Sequence, residues 1–165
     1  MSNVMRRVLP DDQSQMTFEC DPATVIEIGD LLYVASDLVL PASSLADQGT
    51  LAQNQEAFHD AFLGVSLSAH RAYISGHVND NVALDVALEG VCRFPVTSSA
   101  GYVRGDYVGP EGTGAALAVG MANQLLVKVA TPNLAIGRIF RVISATEVWV
   151  EIDSVIMGGG ARAAA

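Results

Sequence analysis

The chain has 165 residues, and its nine lysine and arginine residues against 18 aspartate and glutamate residues give a net charge of −9. Half of the residues are hydrophobic and only 16% are charged. This composition excludes a disordered tail, which is poor in apolar residues and rich in charge. It also excludes a protein that grips nucleic acid through many phosphate contacts, since that needs a basic surface. Every apolar stretch is interrupted before about 18 residues, so no membrane-spanning helix is predicted.

The scarcity of charge predicts that part of the surface is covered by other subunits. Lysine occurs once, at Lys128, and the apolar residues are mostly alanine and valine with few aromatics. A monomer usually covers its surface with lysine and glutamate. The two cysteines, Cys20 and Cys92, form no Cys-x-x-Cys pair, which argues against zinc. We expect reduced thiols in the cytoplasm because no apolar signal segment follows Arg6 and Arg7; a Cys20–Cys92 disulfide stays open.

The sequence predicts one domain with two extensions. Residues 1–20 are polar and aperiodic, with Pro10, Asp11 and Asp12 in succession, and predict an extended N-terminal arm. Residues 21–157 form the predicted β-rich domain. Residues 158–165, Gly-Gly-Gly followed by alanines and one arginine, predict a flexible tail.

In chain order, the domain begins with short strand-like segments at residues 23–28, 31–34 and 38–40. A helix is then predicted from residue 51 to about residue 62, because Thr50 and Gln53 have the spacing of a capping box. Leu51, Phe58 and Phe62 fall on one face of that helix. Gly64 lies just past it, where a C-terminal capping glycine is expected.

The remaining segments are strands separated by turns. Residues 82–93 alternate apolar and polar side chains and predict one half-buried strand, with Gly90 as a bulge or bend. Further strands are predicted at 65–67, 125–130, 137–144 and 146–156, the last with Val148, Val150 and Ile152 on one face, while residues 103–108 carry a Gly-Asp turn. The pattern predicts a mainly β protein, a compact antiparallel β barrel or sandwich with one short α-helix.

Two segments resemble each other within the chain. Ile28-Gly29-Asp30-Leu31-Leu32-Tyr33-Val34 and Arg104-Gly105-Asp106-Tyr107-Val108 each place a Gly-Asp turn before an apolar strand. Two such copies hint at an internal repeat.

No pattern predicts a catalytic, metal or cofactor site. His59-Asp60 resembles a metal-binding pair but lacks further ligands, and His70 with His77 supplies only two imidazoles where a metal needs three or four ligands. The glycine-rich segment 109–114 lacks the Lys-Ser/Thr ending of a phosphate-binding loop. No serine lies in a Gly-x-Ser-x-Gly elbow.

Three segments carry a resemblance to a known family: residues 54–65 (NQEAFHDAFLGV), 87–95 (ALEGVCRFP) and 136–142 (IGRIFRV) followed by 147–152. Together with the Gly-Asp-Leu-Leu-Tyr-Val segment that starts at Gly29, they resemble small capsid cement (decoration) proteins of tailed bacteriophages. The likeness covers residues 23–156. It is a pattern of turns and strands and contains no catalytic signature.

The resemblance implies a structural, non-enzymatic virion protein with a β-tulip-like fold. Proteins of this family sit on the outer capsid surface as homotrimers and clamp neighbouring subunits of the major capsid protein against internal DNA pressure. The resemblance therefore implies that the protein is made in the host cytoplasm. Its implied partners are the major capsid protein and other copies of the same chain, and it implies no cofactor and no binding to nucleic acid or membrane. The alternatives are a host- or carbohydrate-binding surface module, and an enzyme with an unrecognised site.

Two groups of residues are the candidates for contacts. The arm is expected to contact the capsid by strand addition, with Arg6 and Arg7 pairing with an acidic capsid patch; its contact residues are Val4, Met5, Arg6, Arg7, Val8 and Leu9. Phe140 and Trp149 are expected at the interface between subunits, because aromatic side chains anchor interfaces. For the arm, the alternative is a disordered terminus. For Phe140 and Trp149, the alternative is ordinary packing in the core.

Overall fold

The computed structural model describes residues 15–71, 83–113 and 120–158. They form two five-stranded antiparallel sheets with few helices, which confirms the predicted mainly β class. The strands are β1 (Gln15–Glu19), β2 (Leu31–Ala35), β3 (Leu38–Pro41), β4 (Phe62–Ser66), β5 (Ala83–Ala87), β6 (Glu89–Pro95), β7 (Tyr107–Gly112), β8 (Met121–Lys128), β9 (Gly137–Ser144) and β10 (Glu147–Asp153). The helices are α1 (Leu51–Ala61), the short α2 (Val155–Gly158) and two 3-10 turns, Ala42–Ser44 and Pro132–Leu134.

The first sheet has the strand order β1-β5-β4-β2-β3 and curls toward closure. Cys20, just after β1, forms a parallel bridge with Val39 of β3, so the two edge strands meet at that point. One cluster of buried side chains belongs to this sheet and its connections: Cys20, Ile26, Leu32, Val39, Leu63, Leu84, Val86 and Leu88.

The second sheet has the order β6-β10-β9-β7-β8 and closes in the same way, through a parallel bridge between Val96 and Leu126. Its inward side chains join a larger cluster that also contains residues of α1, β2 and β4. Phe58 of α1 lies at the centre of an aromatic group, with its ring centroid 5.8 Å from those of Tyr33 and Phe62. No disulfide joins the two cysteines, which are buried in different clusters, Cys20 in the first and Cys92 in the second.

The two sheets repeat one topology. Strands β1 to β5 take the same order as β6 to β10, and the closing bridge joins corresponding strands in both. The ladders also match: Met16 lies opposite Val86 in the first sheet, and Cys92 lies opposite Val150 in the second. The internal repeat that the two Gly-Asp segments hinted at is therefore a repeat of the whole five-strand unit.

The Gly-Asp turns are equivalent at the level of single hydrogen bonds. Asp30 accepts a bond from the Glu27 N–H at 2.9 Å, and Asp106 accepts one from the Val103 N–H at 2.8 Å. Gly29 and Gly105 have φ values of +97° and +93°, a left-handed conformation that glycine adopts without strain. Each glycine N–H donates at 2.8 Å to a carbonyl in a corresponding strand, that of Ser66 in β4 and that of Ile139 in β9.

A second pair of glycines lies in corresponding strands. A Cβ on Gly64 of β4 would lie 2.1 Å from the carbonyl oxygen of Ala87, and a Cβ on Gly137 of β9 would lie 2.2 Å from that of Glu151. The prediction that Gly64 caps the helix was wrong, because α1 passes directly into β4 at Phe62. Close strand packing, not helix capping, requires glycine there.

Two further boundaries differ from the sequence expectation. The segment 82–93 is two strands, because β5 ends in the first sheet and β6 begins in the second, with Leu88 between them. Residues 15–19, within the predicted arm, form β1 and pair antiparallel with β5. The tail beyond Gly158 lies outside the described residues.

Helix α1 belongs to the first five-strand unit, which we call the first half, and packs against the second unit, the second half. Its predicted cap is confirmed, since the Thr50 hydroxyl accepts a bond from the Gln53 N–H at 3.2 Å. The buried Gln55 side chain donates to the carbonyl of Pro110 at 2.9 Å, and Nδ1 of His59 lies 2.6 Å from the carbonyl oxygen of Ala135. Both acceptors belong to the second half, so the helix fixes one five-strand unit against the other.

Candidate functional site: an arginine–aromatic sheet face

The outward side of the second sheet carries arginine and aromatic side chains. Along β10, Val148, Val150 and Ile152 are buried while Trp149 is half-buried on the opposite side, as expected for a strand with one covered face. We call this surface the arginine–aromatic face; its members are Arg93, Arg104, Tyr107, Arg138, Phe140, Arg141 and Trp149. Glu147 and Glu151 of β10 lie on the same side of the sheet, so four arginines stand against two glutamates there, a net charge of +2.

A row across three strands forms the centre of this face. Trp149 of β10 lies directly opposite Arg93 of β6 on one side and Arg141 of β9 on the other. Side chains opposite each other on one face of a sheet are close enough to interact. Arg93 also forms an ion pair with Glu147. Arg141 is exposed, and within the described ranges it has no hydrogen-bond or ion-pair partner.

Phe140 reaches the same face through an irregularity in β9. The register between β9 and β10 shifts between Trp149 and Val150, so Phe140 is an extra residue beside Arg141. Such a bulge leaves one residue unpaired and re-aims the side chains next to it. The Arg104 guanidinium lies over the Phe140 ring, 5.1 Å from its centroid.

Arg138 and Tyr107 extend the face toward β7. The Arg138 guanidinium lies 4.6 Å from the centroid of the Tyr107 ring, and its NH2 group donates to the tyrosine hydroxyl at 2.7 Å. Stacking of guanidinium on aromatic rings recurs on this face, and it holds charged groups over apolar surface. The arrangement can recognise carboxylate groups and bury aromatic area at the same time.

Charge is distributed unequally between the two halves. In the first, residues 15–71 and 83–88, nine aspartate and glutamate residues stand against one arginine, a net charge of −8. In the second, residues 89–113 and 120–158, six stand against five cations, a net charge of −1. The arginine–aromatic face carries four of those five cations.

The structure places the two predicted interface residues together on this face. Phe140 and Trp149 are half-buried and belong to neither buried cluster, so they are not core residues. The predicted arm contacts, Val4 to Leu9, lie outside the described residues. Sequence reasoning missed Arg93 and Arg141, because only the strand register shows that both flank Trp149.

The polar residues singled out as possible ligands hold the fold together. His70 is buried, with Nδ1 2.7 Å from the carbonyl oxygen of Thr24, and His59 contacts Ala135 as described above. His77 lies outside the described residues. Among the residues the structure describes, no three His, Cys, Asp or Glu side chains group together as metal ligands would.

Of the two aspartates in the Gly-Asp turns, Asp30 is buried and Asp106 is partly exposed. Burial raises the pKa of Asp30, although bonds from the Glu27 N–H and the Gln124 side chain act in the opposite direction. The Gln124 amide donates to Asp30 at 2.8 Å from β8 of the other half. This bond links the two halves.

Within the described ranges, no helix is both long and apolar enough to cross a membrane. No protein-family model, curated protein or solved structure matches this chain.

Proposed function

We propose that this chain is a capsid decoration protein, which binds the outside of a tailed-phage head and stabilises contacts between subunits of the major capsid protein. In this proposal the protein is made in the host cytoplasm, acts as a homotrimer and needs no cofactor. The sequence resemblance suggests the setting, and the arginine–aromatic face is the observation that carries the proposal.

The face has the composition of a protein-binding surface. Tryptophan, tyrosine and arginine are the side chains most often found where interface energy is concentrated, and here they stand on neighbouring strands of one sheet. The backbone beneath them is held by ladders on both sides of β10 and β9. Little conformational freedom of the backbone would therefore be lost on binding.

The position of the arm supports the same function. β1, the last part of the predicted arm, is an edge strand of the first sheet, and the predicted capsid contacts Val4 to Leu9 precede it in the sequence. An arm that leaves a sheet edge can add to a strand of a partner, with backbone hydrogen bonds supplying the affinity. Three arms in one trimer would bind cooperatively, since the first attachment raises the effective concentration of the others.

Co-sedimentation with purified expanded phage heads tests the proposal. We expect the full chain to pellet with heads that lack it, at a saturating number of copies per head. Trp149→Ala is expected to weaken this binding about tenfold, as for an interface anchor. Val25→Ala, which shortens an exposed apolar side chain in the first five-strand unit, is the matched control and should bind as the wild type does.

Failure to pellet with any expanded head, by a chain shown to be folded, would contradict the proposal. Carbohydrate binding is the second candidate, because Trp149 is a partly exposed ring between two hydrogen-bond donors, Arg93 and Arg141. Binding to a glycan array that is lost in Trp149→Ala, in a chain that ignores phage heads, would favour that function instead.

A further inference from the structure

We propose that copies of this chain associate head to tail, with an acidic face on the first sheet of one copy binding the arginine–aromatic face of the next. The acidic face consists of Thr17, Glu19 and Asp85. The inference rests on the proposed function in that it names the contact by which the homotrimer would form.

The repeat shows that the two faces are corresponding surfaces. The ladder β1–β5 matches the ladder β6–β10, and in this match Thr17 opposite Asp85 corresponds to Arg93 opposite Trp149. The same position in the two units therefore carries a carboxylate in one and an arginine-flanked tryptophan in the other. Two copies of one surface have acquired complementary chemistry.

The groups on both faces are available for contact. Asp85 is exposed, and its carboxylate accepts one bond, from the Thr17 hydroxyl at 2.8 Å. Glu19 is exposed two residues further along β1. On the other face Arg141 is exposed beside Trp149, and carboxylate–guanidinium pairing is among the strongest polar contacts in proteins.

Charge complementarity selects the partner. The described part of the first half has a net charge of −8 and that of the second half a net charge of −1. The first halves of two copies would therefore repel each other. The arginine–aromatic face, with four arginines against Glu147 and Glu151, carries a net charge of +2, so contact with its own copy would bring two cationic surfaces together. Like charges brought together at an interface are strongly unfavourable, whereas the acidic face against the arginine–aromatic face joins opposite charges.

Such a contact uses two different surfaces and is therefore heterologous. Heterologous contacts close into rings of three or more or extend into filaments, whereas a two-fold dimer needs one self-complementary surface. The inferred contact is thus of the kind that a homotrimer requires. A two-fold dimer would require another surface.

Charge reversal measured by sedimentation velocity tests the contact. Arg141→Glu and Asp85→Lys, each in the full chain, are expected to weaken self-association about tenfold or more. The matched controls reverse exposed charges that belong to neither face, Arg71→Glu and Asp60→Lys, and should change self-association less than about twofold. Glu19→Lys replaces Asp85→Lys if circular dichroism shows that the latter is misfolded.

The decisive variant carries Arg141→Glu and Asp85→Lys in one chain. It exchanges the charges of the two faces and is expected to restore association to within about threefold of wild type. Wild-type association should also weaken as salt rises from about 0.05 to about 0.5 M, because the screening length shortens.

Three results would overturn the inference: a wild-type chain that stays monomeric at about 100 μM, association unaffected by either reversal, or reversals that the double variant does not rescue. A monomer that still pellets with phage heads would refute the head-to-tail contact and leave the decoration function standing. A head-to-tail oligomer that ignores phage heads would do the opposite.

Discussion

Single residues at corresponding positions have diverged in their electrostatics. Asp30 and Asp106 occupy the same place in the two Gly-Asp turns and accept the same backbone bond. Burial raises the pKa of Asp30. At Asp106 burial also raises the pKa, but the bonds from Lys128 and the Val103 N–H and the charge of Lys128 outweigh it, so that pKa is lowered.

These opposite directions predict opposite dependences of stability on pH. The folded protein binds the Asp30 proton more tightly than the unfolded chain, so this residue's contribution to the free energy of unfolding is complete below about pH 3.8 and falls as pH rises through its folded pKa. Asp106 contributes above pH 3.8, and that contribution is lost as pH falls through its lowered pKa.

Urea unfolding between pH 3 and about pH 7 checks both residues. Asp30→Asn is expected to remove a fall in the free energy of unfolding that occurs above pH 3.8. Asp106→Asn is expected to remove a rise in the free energy of unfolding that is centred below pH 3.8. Identical pH profiles for wild type and Asp30→Asn would show that this carboxylate is not perturbed in solution.

At the scale of the elements, sequence patterns predicted strands where one face is covered. The alternation of Val148, Val150 and Ile152 fixed β10 because the opposite side chains face outward. The same rule failed at residues 82–93, since the alternation runs on across the junction between sheets and cannot show where the chain leaves one sheet for the other. The role of Gly64 was hidden for a similar reason: its neighbour Ala87 is 23 positions away.

Gly64 and Gly137 provide a test of the packing between strands. Alanine at either site places a Cβ within 2.2 Å of a backbone carbonyl oxygen, so a strand must shift. We expect each substitution to lower the free energy of unfolding by about 3 kcal/mol. Gly105→Ala, where space is open and only the positive φ is unfavourable, should cost about 1 kcal/mol.

Chemical denaturation of the three variants measures these differences. Gly64→Ala or Gly137→Ala with the stability of wild type would mean that the two strands are further apart than the structure places them. Equal losses at both sites would show that the repeat extends to the energetics of packing.

The N-terminal segment can be tested as an element in its own right. Deleting residues 2–10 removes the predicted capsid contacts and leaves β1, which begins at Gln15, intact. We expect the shortened chain to keep its oligomeric state and melting temperature and to bind phage heads at least about tenfold more weakly. Unchanged attachment to purified heads would show that the arm makes no contact there.

At the scale of the whole molecule, the sequence indicated a β-rich protein with few charged residues but not how charge is arranged. Phe140 and Trp149 could be selected from the sequence as aromatic residues in strands. Their arginine neighbours could not, because Arg93 and Arg141 lie 56 and 8 residues from Trp149 and meet it only through strand pairing. The acidic first half and the arginine–aromatic face likewise become visible only when the two five-strand units are compared.

The thermal stability of phage heads is the most direct measure of the central claim. A ligand that binds only the assembled shell stabilises it by RT ln(1 + [L]/Kd), so the melting temperature of purified expanded heads should rise steadily with the concentration of added chain. Trp149→Ala should need about tenfold more protein for the same rise. A melting temperature unchanged at saturating concentrations of the folded wild-type chain would contradict a role in capsid stabilisation.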